Sequence, residues 1–144
     1  MQVRNIRAED IYEVLKIEYE CFKFPYPPNM INFLYANYIE TFLVAETDTI
    51  LGYVIGITYN DEGHIISLAV REEYRGLGVG RALMEEVMGI FKDKQYVSSV
   101  RLEVRKSNDR AITFYKRLGF DIVELLDEYY DDKEDAYVMT KRVR

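Results

Sequence analysis

The chain has 144 residues, 49% hydrophobic and 31% charged, which fits one soluble globular domain and excludes a disordered chain, a collagen-like chain and a disulfide miniprotein. Nineteen Lys and Arg against 25 Asp and Glu leave a formal charge of −6. That balance disfavours nucleic acid as a partner, because such affinity comes from neutralised phosphates, and it suits a cationic or amine-bearing partner better.

The N-terminal segment Gln2 to Arg7 alternates and predicts a short strand; it carries no apolar core of a signal peptide. Asp10 then precedes Ile11, Val14, Leu15 and Ile17 at helical spacing and is the expected N-cap. Cys21, the only cysteine, falls in this helix. Alone it makes neither an internal disulfide nor a thiolate metal site, and it fits a reducing, cytoplasmic compartment. Phe24-Pro25-Tyr26-Pro27-Pro28 holds all three prolines and breaks the helix as a stiffened loop. A short helix is expected from about Met30 to Tyr38. Strands over Thr41–Glu46 and Leu51–Tyr59 flank Thr47-Asp48-Thr49 as a hairpin. A turn at Asn60–Gly63 leads into an apolar strand, His64 to Val70. A Gly-rich loop opens a helix from about Gly78 to Lys94, with Val79, Leu83, Val87 and Ile90 on one stripe. Val97 to Arg105 alternates as a strand, with Val100, Leu102 and Val104 on one face. A helix from about Asn108 to Leu118 ends at Gly119, a residue suited to the C′ position. Strands over Phe120–Leu126 and Ala136–Lys141 close the chain, joined by the acidic stretch Asp127 to Asp135. No apolar run approaches the ~18 residues of a membrane span, so no membrane partner is expected.

The order β-α-α-β-β-β-α-β-α-β-β predicts one domain over 1–144 with an α/β (α+β) fold. Its sheet is mixed and mostly antiparallel, with helices on both faces. The strand–helix–strand unit from His64 to Arg105 is the expected parallel crossover, right-handed by rule.

Arg75-Gly76-Leu77-Gly78-Val79-Gly80-Arg81 is the sharpest local signal. It follows a strand and opens a helix. Glycines let several backbone N–H groups converge there, and the helix N-terminus adds positive potential, which suits a phosphate. The dinucleotide fingerprint needs a third glycine where Arg81 stands, and Gly-Lys-Ser/Thr of a P-loop is absent. A flexible loop without a ligand remains an alternative on this segment alone.

The loop fits Arg/Gln-x-x-Gly-x-Gly, and the chain resembles the GNAT superfamily of N-acetyltransferases, in which that motif binds pyrophosphate. Leu102-Glu103-Val104-Arg105-Lys106-Ser107-Asn108, then Ala111-Ile112 and Phe114-Tyr115-Lys116-Arg117-Leu118-Gly119-Phe120, resemble the RimI-type branch, as do Tyr129-Tyr130 and Glu134-Asp135-Ala136. Gly63 to Val70 looks most like the archaeal protein N-terminal (N-alpha) acetyltransferases. The resemblance covers nearly the whole chain.

It implies a GNAT fold whose central parallel strands, His64–Val70 and Val97–Arg105, splay apart to hold the cosubstrate acetyl-CoA. The backbone of Leu68, Ala69 and Val70 would pair with pantetheine. The amides from Gly76 through Leu77, Gly78, Val79 and Gly80 to Arg81 would cradle the pyrophosphate, beside Arg75. Asn108 would bond the pantetheine, with Tyr115, Lys116 and Arg117 following on the same helix as cofactor contacts. Asn108, Ala111 and Tyr115 share one helix face. In RimI-type relatives the matching tyrosine is the general acid, so the resemblance assigns Tyr115 that role. Phe114 and Leu118, on the neighbouring stripe, are expected to fill the core. Glu103 matches the general base, with a surface salt bridge as its alternative; alternation places Arg101 and Arg105 on its side of the strand. His64, the only histidine, matches a residue near the substrate amine in the archaeal enzymes, or else is a strand-end histidine facing water. One histidine beside one glutamate is too little for a metal site, and none is expected.

An α-amine with a pKa of about 7.7–8.0 is easier to deprotonate than a lysine amine near 10.4, by roughly 3.5 kcal/mol, so a modest base suits a chain end. Phe24 and Tyr26 in the proline loop, and Tyr129 and Tyr130, resemble the two substrate walls of N-terminal acetyltransferases; the alternative is aromatic packing under loops. Some branches carry a glutamate after the loop proline, where Tyr26 stands here. The implied partners are protein or peptide N-termini, with the ribosome or nascent chains as a source. Small polyamines or protein lysines are the alternative acceptors, since the acidic run would attract a cationic substrate or else is a solvated loop. A non-catalytic acyl-CoA sensor and a plain interaction domain are further alternatives; the Glu103/Tyr115 pair counts against the first and the phosphate loop against the second. Cys21 lies far from the site in sequence and no covalent acetyl-enzyme is needed.

Overall fold

Apolar residues divide between the two faces of one sheet. A computed structural model describes residues 1–144. Strands β1 (Gln2–Asn5), β2 (Phe42–Glu46), β3 (Ile50–Tyr59), β4 (Glu62–Val70), β5 (Ser99–Arg105), β6 (Asp121–Leu126) and β7 (Ala136–Arg142) lie in the order β1-β2-β3-β4-β5-β7-β6. Only β4 and β5 run parallel. Helices α1 (Ile11–Cys21) and α2 (Pro28–Asn37) cover one face; α3 (Val79–Asp93) and α4 (Asp109–Arg117) cover the other. The expected mixed sheet and element order are present, with short 3-10 turns added at Ala8–Asp10, Ile39–Thr41 and Glu72–Tyr74. No helix is long and apolar enough to cross a membrane.

Each element follows from its sequence pattern. Val79, Leu83, Met84, Val87 and Phe91 make the buried stripe of α3. Val100, Leu102 and Val104 meet it from β5. Phe91 reaches across to β3 and β4, where a Cβ on Gly56 would stand 2.6 Å from the ring. Pro28 opens α2 at its first position, where its missing N–H has no helical acceptor anyway. Asp10 precedes α1 but does not cap it, contrary to expectation. Its carboxylate accepts from the Arg4 guanidinium at 2.8 and 3.1 Å and from the Arg7 N–H at 2.7 Å. A charged donor holds a buried carboxylate more strongly than backbone amides do.

Two irregularities shape the site. The β3–β4 register passes from Ile55↔Ser67 to Gly56↔Ile65, so Ile66 is an extra residue, a bulge. Before it, Gly63 and Ile65 face α3; after it, Leu68 and Val70 do, while Ser67 and Ala69 turn toward α1. The β4–β5 pairing covers only Glu62↔Ser99, Gly63↔Val100 and His64↔Arg101. β5 stays paired to β7 over its whole length. The strands therefore part beyond His64, and Ile65 to Val70 keep no strand partner on that side.

Candidate active site

The gap between β4 and β5 opens as a cleft of about 830 Å³. Leu68, Ala69 and Val70 form its β4 wall. Arg75, Gly76, Gly78, Val79, Gly80 and Arg81 bring the loop and first turn of α3; Asn108, Ala111, Tyr115 and Arg117 bring α4. Gly76 and Gly78 have φ of +77° and +86°, and a Cβ at either would meet nothing within 4 Å. Backbone conformation, not space, requires glycine there. The loop runs through these two left-handed turns into the start of α3, whose first N–H groups lack helical acceptors. The Arg75 Nε donates to the Val70 carbonyl at 2.9 Å and ties the loop to β4. The unpaired edge of β4 and the amide cradle fit an extended arm ending in phosphates.

The expected cofactor residues line this cleft, with two exceptions. Leu77 stands 70% exposed at the turn between the left-handed glycines, and Lys116 is exposed on α4; neither lines the cleft. Phe114 and Leu118 pack against the core as expected and also line the cleft, while Ile112 is the buried residue of α4. Asn108 caps α4, its Oδ1 accepting from the Ala111 N–H at 3.1 Å, so its amide nitrogen is left for a ligand. Cys21, distant in sequence, borders the cleft beside Arg75, and burial raises its thiol pKa.

At the point where β4 and β5 part, His64 Nε2 lies 2.7 Å from Glu103 Oε1. Register explains this meeting: His64 is opposite Arg101, so the two side chains share one face across the parallel pair. Glu103 Oε2 is buried without a hydrogen-bond partner. Arg101 Nε stands 3.9 Å from that oxygen and 3.4 Å from Glu62. Arg105 does not reach Glu103. Asp132 and Glu134 hold it at 3.0 and 2.8 Å, and it stacks 4.1 Å from the centre of the Tyr130 ring. Two members of the acidic run are thereby engaged. The Tyr129 hydroxyl is 3.4 Å from Glu103 Oε1, and its ring packs edge-on against Tyr130 at 5.0 Å. Lys23 joins Asp132 at 3.2 Å, linking the proline loop to the β6–β7 connection. Phe24 lies within 6.0 Å of the Arg105 guanidinium. Burial, then the charge of Glu18 and the proximity of Tyr129 and Glu103, raise the Tyr26 phenol above its ordinary pKa. Phe24 and Tyr26 thus lie on the side of Arg105, Tyr129 and Glu103.

Tyr115 lies against Phe114 and Phe120, edge-on at 5.2 and 5.9 Å. Burial, with Tyr130 adjoining, holds its phenol well above the usual range, so it remains a donor. One central residue escaped the sequence reading. Glu18 is 2% exposed and sits at the junction of α1, β3, β4 and the proline loop. Its signal was available: it shares the buried stripe of Val14 and Ile17, where a charge is out of place.

The chain matches the acetyltransferase (GNAT) family over residues 8–120. It is similar to an N-alpha-acetyltransferase of Sulfurisphaera tokodaii, 38% identical over 151 residues, spanning 96% of this chain and 90% of that protein. The crystal structure of Ard1 from Thermoplasma volcanium superposes with a TM-score of 0.94 at 36% identity, covering 99% of this chain and 97% of that one. Chaetomium thermophilum Naa20, in complex with a bisubstrate analogue, superposes with a TM-score of 0.90 at 30% identity, covering 99% and 86%. With the splayed strands, the amide cradle and these matches in agreement, the chain belongs to the GNAT family of acetyltransferases.

Proposed function

We propose that the chain transfers an acetyl group from acetyl-CoA to the free N-terminal α-amine of proteins and peptides, by direct attack in a ternary complex. The observation that carries this reading is the position of the His64–Glu103 pair. It stands where β4 and β5 part, with the Tyr129 hydroxyl 3.4 Å from Glu103, and this supports reading Phe24, Tyr26, Tyr129 and Tyr130 as the walls of an acceptor site.

Bound acetyl-CoA supplies the acetyl thioester. The chain does the rest. Leu68 to Val70 offer the strand-free edge of β4 to the pantetheine arm, and the loop from Gly76 to Arg81 holds the phosphates. Glu103, with His64 at 2.7 Å and one carboxylate oxygen free, takes the proton of the incoming amine directly or through water. A backbone N–H near Val70 donates to the developing oxyanion. Tyr115 donates to the departing sulfur. Phe24, Tyr26, Tyr129 and Tyr130 narrow the approach to a chain end.

An α-amine is the acceptor best matched to a carboxylate–imidazole base, for the pKa reason given above. A polyamine acceptor loses support because Asp132 and Glu134 are engaged by Arg105 and Lys23. A cytoplasmic site of action, on nascent or finished chains, goes with this reading. Free-thiol release from acetyl-CoA tests it with three sets of acceptors. These are peptides with varied free N-termini, the same peptides N-terminally blocked with an internal lysine, and spermidine. Activity on the first set alone is expected. Activity on spermidine alone refutes the assignment.

A further inference from the structure

The Glu18 carboxylate takes part in no step above, yet it is almost wholly buried in the wall behind the acceptor site. Its Oε1 accepts from the Tyr53 hydroxyl at 2.5 Å and from the Ser67 hydroxyl at 3.2 Å; its Oε2 accepts from the Tyr26 backbone N–H at 2.9 Å. Ser67 adjoins the bulge of the cofactor strand, and Tyr26 belongs to the substrate wall. Pro25, Pro27 and Pro28 have no N–H, and within Lys23–Pro28 the Tyr26 amide is the one backbone N–H with a hydrogen-bond partner. The one bond donated by a backbone N–H of the proline loop is therefore accepted by Glu18, from the buried side.

We propose that Glu18 is a positioning residue for the acceptor peptide: it locks the Phe24–Tyr26 wall onto the bulge of β4, so that the wall stands in register with the acetyl-transfer site. This rests on the reading that a peptide N-terminus is the acceptor. The chemistry of the set makes a carboxylate necessary. Three donors converge, and only an acceptor with two oxygens serves them all. Glutamine has one acceptor oxygen and one donor group. The two hydroxyls approach Oε1 from the same side, so a glutamine turns its oxygen to them and its NH2 to Tyr26. Two N–H donors then face each other at a bonding distance, and only the loop is free to retreat. The hydroxyls can rotate, whereas the backbone N–H cannot.

The test is Glu18→Gln in the full chain, assayed for thiol release with a peptide acceptor, well below the melting temperature of either protein. Acetyl-CoA affinity is measured separately by calorimetry. Peptide KM is expected to rise about tenfold or more, while the acetyl-CoA Kd stays within twofold. Tyr53→Phe, which removes a buried hydrogen bond but leaves the Tyr26 anchor, is expected to lower the melting temperature and keep peptide KM within twofold. An unchanged peptide KM in Glu18→Gln overturns the proposal. So does a matching rise in Tyr53→Phe or in acetyl-CoA Kd, since either marks a general structural role. A wild-type protein silent toward peptide N-termini would instead sink the acceptor assignment. Amide hydrogen exchange of the wild type needs no variant: the Tyr26 N–H should exchange at least 100-fold more slowly than the Phe24 N–H, and equal rates refute the anchor.

Discussion

Removing one oxygen tests the acid. Tyr115→Phe keeps the ring and its edge contacts to Phe114 and Phe120, so the fold should hold. Burial holds the Tyr115 phenol above its ordinary range, which makes full proton transfer to a thiolate uphill. In the proposed mechanism Tyr115 therefore stabilises the departing sulfur chiefly as a hydrogen-bond donor, with the proton following late. A hydrogen bond to a charged group contributes about 1.5–3 kcal/mol. At about 1.36 kcal/mol per tenfold, its loss lowers kcat roughly 10- to 160-fold. Stopped-time thiol release at saturating acetyl-CoA and peptide reads kcat directly. Because the phenol stays protonated, the deficit should be the same from about pH 6 to pH 9. An acetyl thioester with a less basic thiol should narrow it. The assignment fails if kcat is unchanged, or if the whole deficit appears in the KM for acetyl-CoA.

Other perturbations address the scaffold. A Cβ on Gly52 would lie 2.5 Å from the Ala69 carbonyl oxygen, so Gly52→Ala should destabilise by about 1–3 kcal/mol and weaken acetyl-CoA binding; chemical denaturation and calorimetry check both, and a neutral result refutes the close approach. Asn108→Ala removes the α4 cap and should lower stability by about 1 kcal/mol. Asn108→Asp should restore the stability, but acetyl-CoA affinity only if the side-chain NH2 plays no part. Arg105 holds Asp132 at about 2, below its ordinary 3.8. A depressed folded-state pKa means that the contribution is complete above about pH 4 and is lost as the pH falls toward 2. The melting-temperature gap between wild type and Asp132→Asn should therefore be constant at pH 5–7 and close between about pH 4 and 2. A gap that persists at pH 2 would show that the ion pair is not its source.

Much of this architecture is legible in the sequence because it rests on periodicity. Val100, Leu102 and Val104 alternate, and Val79, Leu83 and Val87 fall on a helical stripe; both patterns end in the same core. The glycine loop is legible because Gly76 and Gly78 take backbone angles that other residues avoid. The bulge at Ile66 leaves no such trace. Apolar residues fill the strand through Ile65, Ile66, Leu68, Ala69 and Val70, so an inserted residue breaks no pattern. Cys21 at the cleft and Arg105 on Asp132 are meetings between distant segments, set by how loops return over the sheet. Asp10 looked like a cap because local spacing favours one, but Arg4 outbid the helix amides through a contact made only in the folded chain. His64 and Glu103 were each recognisable by resemblance, whereas their 2.7 Å contact depends on where the parallel pairing stops.

In the proposed binding mode, that stopping point also ties the protein's stability to a metabolite. From Ile65 to Val70 one edge of β4 has no neighbouring strand, and in that mode the cosubstrate lies along it. A ligand that binds only the folded chain adds about 2.7 kcal/mol at 100 times its Kd, a large part of the 5–15 kcal/mol that holds a typical domain together. By that linkage the chain would open more often where the acetyl donor is scarce, and last longer where it is plentiful. Abundance of the catalyst would thus follow supply of its donor with no regulator beyond the unfinished seam of the sheet.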